Sequence, residues 1–156
     1  MRLLIIFSCA FISCSPARVP TNGVHARDMP VTMQFTEGVP LLNRALIYSA
    51  ADDWQRATGG AGRVEFVDGG TIDVRVTDSG PLGKCTSTEM ILRSDAPDAL
   101  FRAAALHEIG HKFGMSHLPE GVMMANITPD ENCLDELTLR VFCSAYHCAN
   151  PRATCH

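Results

Sequence analysis

The chain has 156 residues, enough for one domain, and at that size roughly two-thirds of the unfolded surface can be buried. Its formal net charge is −4 and no Lys/Arg-rich block interrupts it, which argues against nucleic acid as a partner. No internal repeat or low-complexity stretch points to a solenoid or an extended array.

Residues 1–17 read as a targeting segment. Arg2 supplies a small positive head, and 3–12 is an apolar run too short to span a membrane comfortably. Two processing sites fit. The run ending at Cys14 resembles a bacterial lipobox, with Phe11 where leucine is preferred, and would make Cys14 a lipidated N-terminus held at a membrane surface. Cleavage after Ala17, with Ser15 as the other small flanking residue, would instead release the chain. Either processing places the protein outside the cytoplasm, secreted or anchored as a lipoprotein at the cell surface or in the periplasm. Residues 18–30, with Pro20, Gly23 and Pro30, read as a linker.

Alternation over 31–35 suits a strand. The stretch 40–60 places Leu42, Leu46, Ile47 and Trp54 at helical spacing and ends in Gly59-Gly60, so it predicts a helix with Trp54 in the core. Segments 63–67 and 71–76 predict strands split by a turn at Asp68-Gly69-Gly70. Asp68, Asp73 and Asp78 offer oxygen ligands of the kind calcium takes, but a turn and outward strand faces account for them more simply. A loop over 79–83 precedes one or two strands in 85–95. Over 97–114, Leu100, Ala103, His107, Gly110 and His111 share one helical face; alanines at 103–105 favour the helix and Gly114 ends it. A last helix is predicted from Thr128 as N-cap, with Pro129 at its first position and Glu131 closing a capping box. The order predicts an α+β domain over 31–142 with a mixed, mostly parallel sheet covered by helices, followed by a cysteine-rich tail over 143–156.

Cys9 and Cys14 belong to the targeting segment, leaving Cys85, Cys133, Cys143, Cys148 and Cys155. An oxidising destination favours disulfides. Two bridges and one thiol is the simple count; if Cys14 stays a thiol, three bridges become available, with fifteen pairings that sequence does not rank. Four of the five crowd into 133–155, a stapled tail.

The chemistry concentrates in LHEIGHKFGMSH, 106–117. His107 and His111 are four apart and so stack on one helical face, roughly 6 Å from each other. Two imidazoles at that spacing can reach one zinc ion at about 2.0–2.1 Å. Gly114 permits a left-handed turn that brings His117 back as a third ligand. Three protein ligands leave a fourth position open, as a catalytic zinc site requires and a structural one does not. Glu108, next to His107, is placed as a general base and acid beside that position. Peptide-bond hydrolysis by activated water, without a covalent intermediate, needs nothing more.

The full string H-E-x-x-H-x-x-G-x-x-H is far more specific than its first half. As it stands here, HEIGHKFGMSH resembles the metzincin superfamily of zinc endopeptidases, its matrixin-like branch most closely. That resemblance implies a metzincin-like catalytic domain: a twisted five-stranded sheet with covering helices, a metal-binding helix and a C-terminal helix. It implies a methionine turn under the metal, for which Met123 in PEGVMMAN fits the family pattern and Met124 is the runner-up. It also implies an edge strand near 83–88 that pairs with extended substrate by strand addition, and a pocket wall near 126–128. The interval from His117 to Met123 is shorter than the usual matrixin spacing, and no tyrosine follows where the astacin and serralysin branches place a further metal partner; Ala125 and Asn126 stand there. The expected activity is that of an exported zinc endopeptidase acting on protein or peptide substrates. The alternatives are a secreted zinc-binding interaction module without proteolysis, and a disulfide-rich structural protein without zinc. His147 beside Cys148 and His156 after Cys155 raise a second zinc site, but tail histidines next to disulfides are the simpler reading; His25 lies in the linker.

Overall fold

The computed structural model describes residues 29–155. The targeting segment, both processing sites, His25, His156 and all but the end of the linker lie outside the described residues. Five strands, β1 (Val31–Phe35), β2 (Val64–Phe66), β3 (Ile72–Thr77), β4 (Gly83–Cys85) and β5 (Glu89–Arg93), are joined by α1 (Leu41–Ala57), α2 (Asp98–Lys112) and α3 (Glu136–Tyr146). The sheet runs β2-β1-β3-β5-β4. Its first three pairings are parallel, and β4 closes the edge antiparallel to β5. The mixed, mostly parallel α+β sheet expected from the sequence is therefore present.

Strand alternation sets which side chains reach the core. Met33, Val74, Met90 and Leu92 are fully buried, each directly flanked by more exposed residues, as a pleated strand dictates. Asp73 lies on the other face and accepts a hydrogen bond from Gln34 Nε2 on the adjoining strand at 2.6 Å, so it behaves as an outward strand residue. The alanines of α2, Ala103, Ala104 and Ala105, are fully buried; their small size lets α1 approach closely. Trp54 of α1 is fully buried. Its indole N–H donates to Leu106 O of α2 at 3.0 Å, and its ring meets Phe113 and Phe142 edgewise or tilted, each at 5.2 Å. One tryptophan thus ties three helical segments together, with its polar handle satisfied.

The last helix departs from expectation. Thr128, Pro129 and Glu131 do form a capping box, but it closes a single 3₁₀ turn, Pro129–Glu131. The α-helix starts after a second N-cap, Asp135, and runs past 142 to Tyr146. The interruption has a cause. Asn132 O and Oδ1 accept from Arg102 of α2 at 2.7 and 2.6 Å. Leu134 donates its N–H to Thr154 Oγ1 at 2.8 Å and accepts from Thr154 N at 2.9 Å. These backbone groups are committed elsewhere and cannot join an i→i−4 ladder.

Disulfides Cys133–Cys155 and Cys143–Cys148 staple the tail, and Cys85 stays a thiol. Arg152 N–H also bonds Ala57 O at 2.9 Å, docking the tail on the end of α1. Replacing both Cys133 and Cys155 by serine should lower unfolding stability by about 3 kcal/mol, the loop-closure entropy of a 22-residue separation. Urea denaturation checks this: a midpoint equal to that of the parent chain would show that the staple does not constrain the unfolded chain.

Candidate metal centre

The site is built on the C-terminal half of α2 and the chain that folds back beneath it. Gly114 has φ +83°, a conformation open to glycine without steric cost. Around it Met115 N–H bonds Gly110 O at 3.1 Å and Gly114 N–H bonds His111 O at 2.9 Å. This bond pair closes a helix and reverses the chain. The reversal returns His117 toward the helix. His111 Nε2 lies 2.9 Å from His107 Nε2 and 3.2 Å from His117 Nε2, and one ligand atom from each of the three falls within 4.8 Å of the others. His107 is buried, His111 half-buried and His117 exposed, so the cluster opens to solvent on the His117 side.

Backbone carbonyls decide the tautomers. His107 Nδ1 sits 2.7 Å from Val122 O and His111 Nδ1 sits 2.8 Å from Met115 O. A carbonyl only accepts, so each Nδ1 carries the proton and each Nε2 presents a lone pair to the cluster. Two lone pairs 2.9 Å apart repel each other unless a cation lies between them. Burial, reinforced by its histidine neighbours, lowers the pKa of His107 to about 3; burial likewise lowers those of His111 and His117. The rings are therefore neutral near pH 7, the state in which imidazole binds metal. The group could hold a metal ion. Among the described residues, His147 and the aspartates at 68, 73 and 78 join no such group.

The turn after His117 supports the cluster from below. Gly121 to Met124 forms a tight turn, closed by Met124 N–H on Gly121 O at 2.9 Å, and Met123 O accepts from Leu118 N at 2.9 Å. Met123 is fully buried, and its sulfur occupies the space that a Cβ on Gly110 would need. Met124 is half-buried.

Glu108 lies between α2 and the edge strand. It is almost wholly buried, and its Oε1 sits where a Cβ on Gly83 would come within 2.5 Å. Burial raises its pKa to about 7, opposed by a hydrogen bond from the Cys85 side chain and by the charge of Lys112. Lys112 in turn donates to Thr86 O and, at 2.7 Å, to Glu89 O, binding α2 to the β4–β5 connection. Sequence patterns point to the three histidines, Glu108 and Met123. They do not point to Gly83, Cys85 and Lys112 around the carboxylate, nor to the carbonyls of Met115 and Val122, because these are brought in by tertiary folding and carry no local signature.

No family model matches the chain, and no curated protein matches it. Two solved structures of myroilysin resemble it at 24% and 25% identity, each with a TM-score of 0.44. The matches cover 56% of this chain and 48% and 43% of theirs, so the chain spans less than half the length of the solved structures it matches.

The shifts of His107 and Glu108 have opposite consequences for the metal-free fold. The depressed His107 pKa gives stability that is whole above its ordinary 6.5 and is lost as pH falls toward about 3. The raised Glu108 pKa gives stability that is whole below its ordinary 4.5 and is lost as pH rises through about 7. Chelated protein should therefore weaken on both sides, and Glu108→Gln should abolish the alkaline decline only. Thermal melts at pH 3.5, 5.5 and 8 check it; an unchanged alkaline decline in Glu108→Gln would assign that decline to another group.

Proposed function

We propose that this chain is an exported zinc-dependent endopeptidase. The observation that carries the reading is the convergence of three imidazole Nε2 atoms, two with Nδ1 tied to backbone carbonyls, two from α2 and one from the returning chain, with Glu108 next to His107 on the helix. The donor set suits zinc. Tetrahedral geometry at the usual zinc–nitrogen distance puts ligand nitrogens about 3.3 Å apart, close to the 2.9 and 3.2 Å observed. All three donors are neutral imidazoles with no bound carboxylate, the ligand set of several catalytic zinc sites. Export rests on the N-terminal pattern around Arg2 and on the disulfide-stapled tail. Anchoring through Cys14 or release after Ala17 are the two forms it would take.

His107, His111 and His117 would hold the ion. When bound, zinc supplies Lewis-acid polarisation of a carbonyl and brings the acidity of water near neutrality. Glu108 takes a proton from the attacking water and delivers it to the departing amine. Gly83 and the Cys85 side chain hold that carboxyl against β4. Because β4 is the terminal strand of the sheet, its outer side suits an extended peptide laid alongside it by strand addition. Such a peptide would run beside the strand against which Glu108 packs. The loop near 126–128, exposed except for half-buried Ile127, would then border the residues beyond the scissile bond.

Glu108→Gln should keep one zinc per chain and lose at least about 100-fold in peptide hydrolysis, the scale of a missing general base. The measurement is digestion of a broad peptide library with and without chelator, beside metal analysis. Zinc bound at full stoichiometry with no chelator-sensitive cleavage by the parent chain would favour the binding-module alternative. Acid should also release the metal as the ligand histidines protonate, and full zinc retention well below about pH 3, the value to which burial lowers the His107 pKa, would rule out histidine ligation.

A further inference from the structure

Asp135 lies outside the histidine motif, yet its carboxylate is shared between a helix and the turn under the metal site. Oδ1 accepts from Thr138 N at 2.8 Å, capping α3. Oδ2 accepts from Thr138 Oγ1 at 2.7 Å and from Val122 N at 3.0 Å. The contact is close: Gly121 has φ +77°, and a Cβ there would overlap the Asp135 carboxylate. Val122 is the residue whose carbonyl accepts from His107 Nδ1 at 2.7 Å. The peptide units flanking one residue thus join the carboxylate to the imidazole.

We propose that Asp135 is a positioning residue for the metal site, acting through the Gly121–Val122 turn to orient His107. The proposal rests on the reading of His107, His111 and His117 as zinc ligands. A carboxylate pulling on Val122 N–H aims the Val122 carbonyl at His107 from the other end of the residue. It fixes the ring's tautomer and its rotation together, as partners one layer beyond a metal ligand do. Gly121 is required because any side chain would push the carboxylate away. Thr138 keeps the carboxylate from swinging to solvent, since it engages both oxygens.

The test separates helix capping from turn anchoring. In Asp135→Ser the hydroxyl still caps Thr138 N–H but is too short to reach Val122. Asp135→Asn keeps the shape and leaves an acceptor for only one of the two backbone N–H groups. Zn2+ dissociation constants are measured by competition with a chromophoric chelator, with the fold of each metal-free variant checked by circular dichroism. The His107 Nδ1–H resonance is followed by NMR. Asp135→Ser should stay folded, bind Zn2+ 10- to 100-fold more weakly, and lose or shift the His107 resonance; Asp135→Asn should move the same way by less. Parent-like affinity and an unmoved resonance in either folded variant overturn the proposal while leaving the zinc reading intact. A parent chain that binds no Zn2+ overturns both.

Discussion

Val122 O and Met115 O each accept a hydrogen bond from the Nδ1–H of a histidine, and neither oxygen can do anything but accept. The inner nitrogens of His107 and His111 are thereby obliged to face each other with lone pairs at 2.9 Å. Neutral rings so arranged are a liability in a metal-free fold, and the burial of His107 removes the option of relieving it by protonation near neutral pH. The same arrangement becomes favourable around a cation. Much of the surrounding architecture keeps those two carbonyls in place: the chain reversal at Gly114 for Met115, and the Gly121–Met124 turn for Val122.

The support extends outward in steps. The turn is held by Asp135, which begins α3. The residues just before Asp135 are held by the tail, through Cys133–Cys155 and the paired bonds between Leu134 and Thr154. The tail is docked on α1 by Arg152 N–H at Ala57 O, and α1 is tied to α2 by the Trp54 indole at Leu106 O. A loop so sparing in regular structure as 115–128 would otherwise lose its geometry to conformational entropy. In a small domain with one core, disulfides are a direct means of restricting it.

The elements that depend on local chemistry were legible in the sequence. Period and capping residues place β1, α1, β3 and α2, and the spacing of His107 and His111 with a glycine after them foretells the convergence on His117. The sequence places the start of the last helix at Thr128 and the structure at Asp135, because two adequate N-caps stand seven residues apart. Local propensity does not choose between them; Arg102 at Asn132 and Thr154 at Leu134 do, and both contacts are long-range. Disulfide pairing was undecidable for the same reason. The surroundings of Glu108 were hidden too, since nothing in the string 83–85 announces that it will lie against a helix more than twenty residues later.

The central claim is that three imidazoles, and no other protein ligand, converge on one zinc ion. X-ray absorption at the zinc edge on the stoichiometric zinc-loaded chain measures that directly. Three imidazole nitrogens at about 2.0–2.1 Å with one additional light atom are expected. A sulfur neighbour, which would bring Cys85 into the coordination sphere, or a shell with fewer than three imidazoles would contradict it.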